Sequence, residues 1–130
     1  MRDPNRLYKF YEELEKIHRE FVPSLTFLQF VCGFMGWTQR DPFFYEDDDI
    51  LEAFKKWANE NPHPGREMYN VAVYTKLRDL HFNVPDWRFG QLMVNLIGWV
   101  KEADRQEVER IDDSEFLENV EEVMEQWKRT

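Results

Sequence analysis

The sequence contains an internal repeat. Residues 11–37 and residues 74–99 match closely once one residue is left out between His18 and Val22. Matching positions in the two copies include Tyr11 and Tyr74, Leu14 and Leu77, His18 and His81, Pro23 and Pro85, Gln29 and Gln91, and Trp37 and Trp99. The match resumes further along, between residues 46–52 and residues 112–118. Because a repeat makes the half-chain the structural unit, it constrains the fold more than any single motif does.

The length of the chain favours two repeats that share one core. At 130 residues the chain has the usual size of one domain, whereas a half of about 65 residues buries a smaller share of its surface and is marginal alone. Residues 61–65 contain two prolines and a glycine, which is typical of a linker. We therefore predict a first helical repeat at 1–60, the linker, and a second helical repeat at 66–130, together forming one compact domain.

Helical spacing of apolar residues runs through both halves, and no stretch alternates as a strand does. Five of the six predicted helices span residues 4–21, 24–37, 66–82, 86–103 and 113–129. The remaining one, third in chain order, is predicted to begin at Asp47, Asp48 or Asp49. Ser24 and Asp86 are the expected N-caps of the second and fifth helices. In the fourth helix, Met68 and Val71 are expected to face inward. The predicted fold class is all-α, with two pseudo-symmetric three-helix modules sharing one core.

Composition narrows the classes of function. The net charge is −9, with 8 basic against 12 acidic residues in 1–65 and 9 against 14 in the remainder. Such a balance disfavours direct binding to nucleic-acid phosphates, and is compatible with solubility or with docking on a basic protein. Cys32 is the single cysteine, lies among apolar residues and is expected to be an inert core thiol. With no apolar run of roughly 20 residues, we expect a soluble, cytoplasmic protein without a membrane partner.

The repeated histidines, His18 and His81, allow two interpretations. They are either a metal ligand or general base shared by the two copies, or structural histidines that bond the ends of their helices. Ligand spacings such as HExxH or CxxC are absent, so the structural interpretation is favoured and no metal or cofactor is predicted. The run Asp47–Asp49 lacks the alternating ligands of an EF-hand loop, and is only a weak candidate for a cation site.

Other repeated residues are also interpreted as structural. Pro23 and Pro85 end one helix before the next begins. Gln29 and Gln91 lie in apolar stretches, where a buried amide must be hydrogen-bonded. Each is therefore expected to join its helix to a neighbouring backbone or side chain rather than to a ligand.

The differences between the copies indicate candidate interaction residues. Trp87 and Arg88 stand where the first copy has Leu25 and Thr26. An arginine at a helix start needs an anionic partner, either internal (Asp86, Asp79 or a glutamate of the last helix) or on another protein. The last helix also carries an acidic face. The interaction candidates are Trp87, Arg88, Glu118, Glu121, Glu122, Glu125, Asp47, Asp48 and Asp49.

Two segments of the chain resemble a motif of a known family: residues 85–92, P-D-W-R-F-G-Q-L, and residues 41–48, D-P-F-F-Y-E-D-D. The motif is P-D-x-R-F-G-Q-L followed by D-P-F-Y-x-E-D-D-x-L. It is found in small helical proteins of Gram-positive bacteria, their phages and other mobile elements. Here the first half keeps the second part and the second half keeps the first part, as in a tandem duplication. The resemblance implies a helical fold and a mobile-element context, and it brings no catalytic residues.

These observations lead to one leading hypothesis and two alternatives. The leading one is a non-enzymatic accessory protein of a phage or mobile element. It would bind a host nucleic-acid-handling or defence protein through an acidic surface and inhibit it, as an anti-CRISPR protein or DNA mimic does. One alternative is a metal-assisted hydrolase that uses His18, His81 and Asp47–Asp49. The other is a binder of single-stranded nucleic acid through Arg88, Lys101 and Arg105, with Trp87 stacking.

Overall fold

The computed structural model describes residues 2–104 and 107–128. These residues form six α-helices and two 3-10 helices, and no β-strand occurs among them. The α-helices are α1 (Arg6–Phe21), α2 (Phe27–Trp37), α3 (Asp47–Glu60), α4 (Ala72–His81), α5 (Phe89–Asp104) and α6 (Asp113–Lys128). The 3-10 helices, Pro42–Phe44 and Val108–Arg110, are called the 42–44 turn and the 108–110 turn. The predicted all-α fold class is confirmed.

Each half of the chain packs extensively on the other. Helix α1 lies against α3 of its own half and against α4 of the second half, while α4 also lies against α6. The 42–44 turn of the first half packs on α5, and the 108–110 turn of the second half packs on α2. The turn of each half thus covers the central helix of the other. An approximate twofold axis relating the two halves stays a prediction. The contacts between the halves that are described below favour it.

The buried apolar side chains form one cluster that draws on both halves. The largest of its fully buried side chains are phenylalanines: Phe27, Phe30, Phe34, Phe54, Phe89 and Phe116. Phe34 and Phe54 stack with ring centroids 3.9 Å apart, and Phe27 and Phe116 with centroids 5.4 Å apart. Burying a side chain of this size contributes about 1.5–3 kcal/mol. This cluster, to which both halves contribute, provides more burial than either half could achieve alone.

The fourth helix begins later than its sequence pattern predicts. Helix α4 starts at Ala72 rather than at residue 66, and Met68 and Val71, predicted to face inward, are more than half exposed. The backbone amides before the helix are taken by other parts of the chain. Met68 N donates to the Pro23 carbonyl at 2.9 Å, and Asn70 N donates to the Asp113 carboxylate at 2.6 Å. Those bonds hold residues 66–71 outside the helix.

The starts of α2, α3 and α5 also differ from prediction. Thr26, not Ser24, is the N-cap of α2, and the Ser24 hydroxyl donates to the His63 carbonyl at 2.9 Å. Asp86 lies three residues before α5 begins, and its carboxylate accepts a bond from Arg2 N at 3.1 Å. In α3, Asp47–Asp49 form the first turn and Glu46 is the N-cap residue, without a side-chain capping bond. Acidic residues in a first turn are still favoured by the helix dipole.

The connection between the halves lies against the first half. It runs without helix from residue 61 to residue 71, which is longer than the predicted linker. His63 N donates to the Phe21 carbonyl at 3.0 Å, and Ser24 N donates to the His63 carbonyl at 3.2 Å. Gly65 has φ +132°, a conformation that side-chain-bearing residues rarely adopt. The connection is thus fixed by backbone bonds at His63, Met68 and Asn70, of which the first two lie beside the loop between α1 and α2.

Candidate functional site

Two histidine–tyrosine hydrogen bonds join the halves at the centre of the molecule. The Tyr11 hydroxyl lies 2.7 Å from His81 Nδ1, and the Tyr74 hydroxyl lies 2.5 Å from His18 Nδ1. The sequence repeat pairs Tyr11 with Tyr74 and His18 with His81, so the two bonds are equivalent and cross in opposite directions. All four side chains are buried. Each half therefore supplies one tyrosine and one histidine to the other.

The second nitrogen of each imidazole is also engaged. Nε2 of His18 lies 2.8 Å from the Leu25 carbonyl, and Nε2 of His81 lies 2.7 Å from the Trp87 carbonyl. Because a carbonyl only accepts, each Nε2 carries the proton, and each Nδ1 accepts from a tyrosine hydroxyl. Burial lowers the pKa of His18 to about 4 and lowers the pKa of His81 as well. Both histidines thus have neutral rings with two protein partners.

The histidines and Asp47–Asp49 do not form a metal site. Within residues 2–104 and 107–128, no three His, Cys, Asp or Glu side chains are grouped so that they could hold a metal ion. A histidine ligand must offer a nitrogen lone pair, and the Nδ1 lone pair of each imidazole accepts a tyrosine hydroxyl instead. The hydrolase alternative therefore gains no support from the geometry.

Two carboxylates also cross between the halves, each to the N-terminus of a central helix. Asp113 of α6 accepts from Phe27 N of α2 at 2.9 Å, and Asp47 of α3 accepts from Phe89 N of α5 at 2.8 Å. The repeat aligns these residues as well. A carboxylate at this position satisfies an unpaired amide and complements the helix dipole. Asp47 is therefore part of the contact between the halves, whereas Asp48 and Asp49 are exposed.

The remaining bonds of the two carboxylates differ. The second oxygen of Asp47 pairs with Arg6 Nε at 2.9 Å, whereas the second oxygen of Asp113 accepts from Asn70 N. Asp113 has 5% exposure and no ion pair with a basic residue among the described contacts. Burial consequently raises its pKa, against the two backbone hydrogen bonds that act to lower it.

Arg88 has an internal partner, but not one of those predicted. Its Nε lies 3.0 Å from Glu46, rather than beside Asp86, Asp79 or a glutamate of the last helix. Arg2 pairs with the same glutamate at 3.0 Å, and hydrogen bonds from Arg2 and Arg88 hold the pKa of Glu46 below its usual value. Trp87 is half-buried and packs edge-on against Trp127, with ring centroids 5.4 Å apart. Both candidates therefore make contacts within the chain.

The repeated glutamines and prolines lie in structural positions. The Gln29 side chain completes a capping box with Thr26, and its Nε2 lies 3.4 Å from the Glu109 carbonyl in the 108–110 turn. Gln91 is half-buried, and its backbone carbonyl accepts from Asn95 at 2.9 Å. The predicted bond from the Gln91 side chain to a neighbouring element is not observed within the described residues. Pro23 and Pro85 lie half-buried in the equivalent loops before α2 and α5. Cys32 is partly buried, and burial raises the pKa of its thiol to about 11.

The acidic candidates of the last helix lie on the surface. Glu118, Glu121, Glu122 and Glu125 are all exposed on α6. Glu121 pairs with Lys76 at 3.1 Å. No ion pair within the described residues involves the other three. Of the basic residues suggested for nucleic-acid binding, Lys101 is exposed, Arg88 is paired with Glu46, and Arg105 lies outside the described residues. The exposed face of α6 thus keeps most of its negative charge.

Sequence reasoning missed four residues of this contact. Tyr11, Tyr74, Glu46 and Asp113 were not among the candidates, although three of them hold buried bonds between the halves. A signal was present, because Tyr11 aligns with Tyr74 and Asp47 aligns with Asp113 in the repeat. A polar residue kept in both copies of a duplicated fold is a candidate for a contact that occurs twice.

Comparison with known proteins adds no relative: no family model, curated protein or solved structure matches the chain. Among the helices of the described ranges, none combines the length and the apolar character that crossing a membrane requires.

Proposed function

We propose that this chain is a non-enzymatic interaction module that binds a basic surface on another protein through the exposed face of α6. The observation that carries the proposal is how the charges are distributed. Arg2, Arg6 and Arg88 are paired with carboxylates of the same chain. Glu118, Glu122 and Glu125 lie on one side of α6 and form no ion pair with any residue that the structure describes. The acidic charge is therefore presented outward, where it can attract a basic partner.

The partner class follows from this charge. A basic channel or groove in a nucleic-acid-handling or defence protein offers a surface of opposite sign, and complementary fields raise both the rate and the selectivity of association. A chain that occupied such a channel would inhibit the enzyme, as an anti-CRISPR protein or DNA mimic does. This role also fits the mobile-element context that the resemblance implies. The proposed setting is the cytoplasm of a host cell.

Three charge-neutralising substitutions on α6 test this function. We expect E118Q/E122Q/E125Q to weaken binding to the partner by about tenfold and to make the remaining binding less dependent on salt. The partner is first captured from host lysate at low salt and identified by mass spectrometry. The dissociation constant is then measured with the purified partner, in competition with labelled DNA.

The control variant is E12Q/E13Q/E20Q on α1, which removes the same charge from exposed residues of another helix. It should retain the affinity of the unmodified chain. Equal weakening by both triple variants would show that only net charge matters, and would remove α6 as the binding face. Failure to capture a stoichiometric partner at either low or high salt would remove the proposal as a whole.

A further inference from the structure

The two motif segments of the chain meet in space. Residues 85–92 of the second half contact residues 41–48 of the first half through three interactions. Arg88 pairs with Glu46 at 3.0 Å, and Phe89 N donates to Asp47 at 2.8 Å. Gly90 lies against the backbone of Pro42 so closely that an added Cβ would lie 1.7 Å from the carbonyl oxygen. The segments retained in different halves therefore form one joint contact.

The repeat predicts an equivalent contact, which joins the start of α2 to the 108–110 turn and the start of α6. There the residues on both sides of the contact differ from those of the joint contact. The capping bond from Phe27 N to Asp113 is still present at 2.9 Å. Thr26 stands where the second half has Arg88, so no ion pair can form there. Leu28, which is fully buried, stands where the second half has Gly90.

The segment that contacts the start of α2 on that side also differs from its counterpart in the first half. Val108 stands where the first half has Pro42, and Asp112 stands where it has Glu46. The glycine and the arginine are thus absent on the side where the proline and the glutamate are also absent. Side chains that contact each other depend on each other, so the loss of one relaxes the need for the other. The two motif segments that are retained in different halves are therefore the two sides of one contact.

Contacts that occur twice in opposite directions are the mark of an isologous interface, in which two copies of one surface bind each other. Here the crossed His–Tyr bonds and the crossed carboxylate caps have this form. We infer that the face between the halves is a fused homodimer interface, and that each half can bind the complementary half of a second copy of this chain. None of these crossing bonds involves the connection at residues 61–71.

In the intact chain the connection holds the two halves together, so the intramolecular contact is favoured over contact with a second copy. Cutting the connection removes this advantage and leaves the interface itself unchanged. The test therefore starts from the folded, full-length chain. A protease recognition sequence is inserted between Pro64 and Gly65, which are both exposed, and the purified protein is cleaved under native conditions.

We expect the two fragments to elute together at the volume of the intact chain and to separate only in denaturant. Two cleaved samples are then compared, one tagged at its N-terminus and the other at its C-terminus. The two samples are mixed in equal amounts, unfolded together and freed of denaturant. Capture through the N-terminal tag should then recover the C-terminally tagged second half and the untagged second half in equal amounts. Fragments that separate or aggregate on cleavage, or halves that do not reassociate, would overturn the inference.

A matched pair of substitutions ties the result to this interface. In the cleaved protein, Asp47→Ala should weaken association of the halves by about tenfold, because it removes the cap on α5. Asp48→Ala removes the same charge from the neighbouring exposed residue and should leave the association unchanged. Equal behaviour of the two variants would contradict the assignment of this contact.

Discussion

Gly90→Ala is expected to destabilise the folded chain by about 3 kcal/mol or more. The added Cβ would lie 1.7 Å from the Pro42 carbonyl oxygen, and that atom belongs to the backbone, so no side-chain rotation can relieve the clash. Either α5 or the 42–44 turn must move, and the capping bond from Phe89 N to Asp47 lies beside the same contact. The free energy of unfolding is measured with urea.

Gly98→Ala is the matched control in the same helix. An added Cβ at Gly98 meets no atom within 4 Å. Alanine there should stabilise the helix by roughly 0.5–1 kcal/mol, because it reduces the backbone freedom of the unfolded chain. A Gly90→Ala variant as stable as the unmodified chain would show that the two halves do not meet at this point.

Acid is expected to destabilise the protein through its buried histidines. Burial lowers the pKa of His18 from 6.5 to about 4, so between these pH values the unfolded chain binds more protons than the folded one. The contribution of neutral His18 to the free energy of unfolding is therefore fully present above pH 6.5. It is lost as the pH drops toward 4, and the loss is about 3 kcal/mol. His81 adds to this loss because its pKa is lowered in the same direction.

Besides burial, which is the main cause, the tyrosine hydroxyls give a second physical reason. A protonated imidazole carries a hydrogen on Nδ1, where Tyr74 and Tyr11 now donate, so each bond must reverse and leave the hydroxyl proton without its present acceptor. Asp113 acts in the opposite direction, since its raised pKa favours the folded state as acid protonates it. Urea unfolding from pH 8 to pH 4 measures the sum of these effects.

The unmodified chain should lose stability from about pH 6.5 downward. The ring resonances of His18 and His81, followed by NMR, distinguish their contribution from that of Asp113. Rings that are already protonated at pH 6 in the folded chain would contradict the account.

The existence of the helices could be predicted because their apolar residues recur with helical spacing. The start of α4 could not, since the amides of Met68 and Asn70 are bonded by the Pro23 carbonyl and the Asp113 carboxylate, which are distant in sequence. The cap at Ser24 was wrong by two residues, since the local cap of α2 is Thr26, which accepts from Gln29 N. Local capping rules also consider only residues next to a helix, whereas the amides of Phe27 and Phe89 bond carboxylates of the opposite half.

The candidate site was predicted in part. His18 and His81 were recognised as repeated residues with a structural role, but their tyrosine partners were not, because the bonds join positions 56 and 70 residues apart. The partner of Arg88 was sought among nearby acids and is Glu46, in the other half. Only the three-dimensional arrangement shows that what the sequence repeats is a set of contacts between the copies.

Hydrogen exchange of an Asp113→Ala variant tests most directly whether the two halves form one cooperative unit. Losing this buried carboxylate, which caps α2 and also bonds Asn70, should cost about 2 kcal/mol, or roughly 30-fold in the opening equilibrium. We predict that protection falls by the same factor in α2 of the first half and in α6 of the second, while Ser114→Ala, at an exposed neighbour, changes neither. Loss of protection confined to α4, α5 and α6, with α1, α2 and α3 unchanged, would contradict the account.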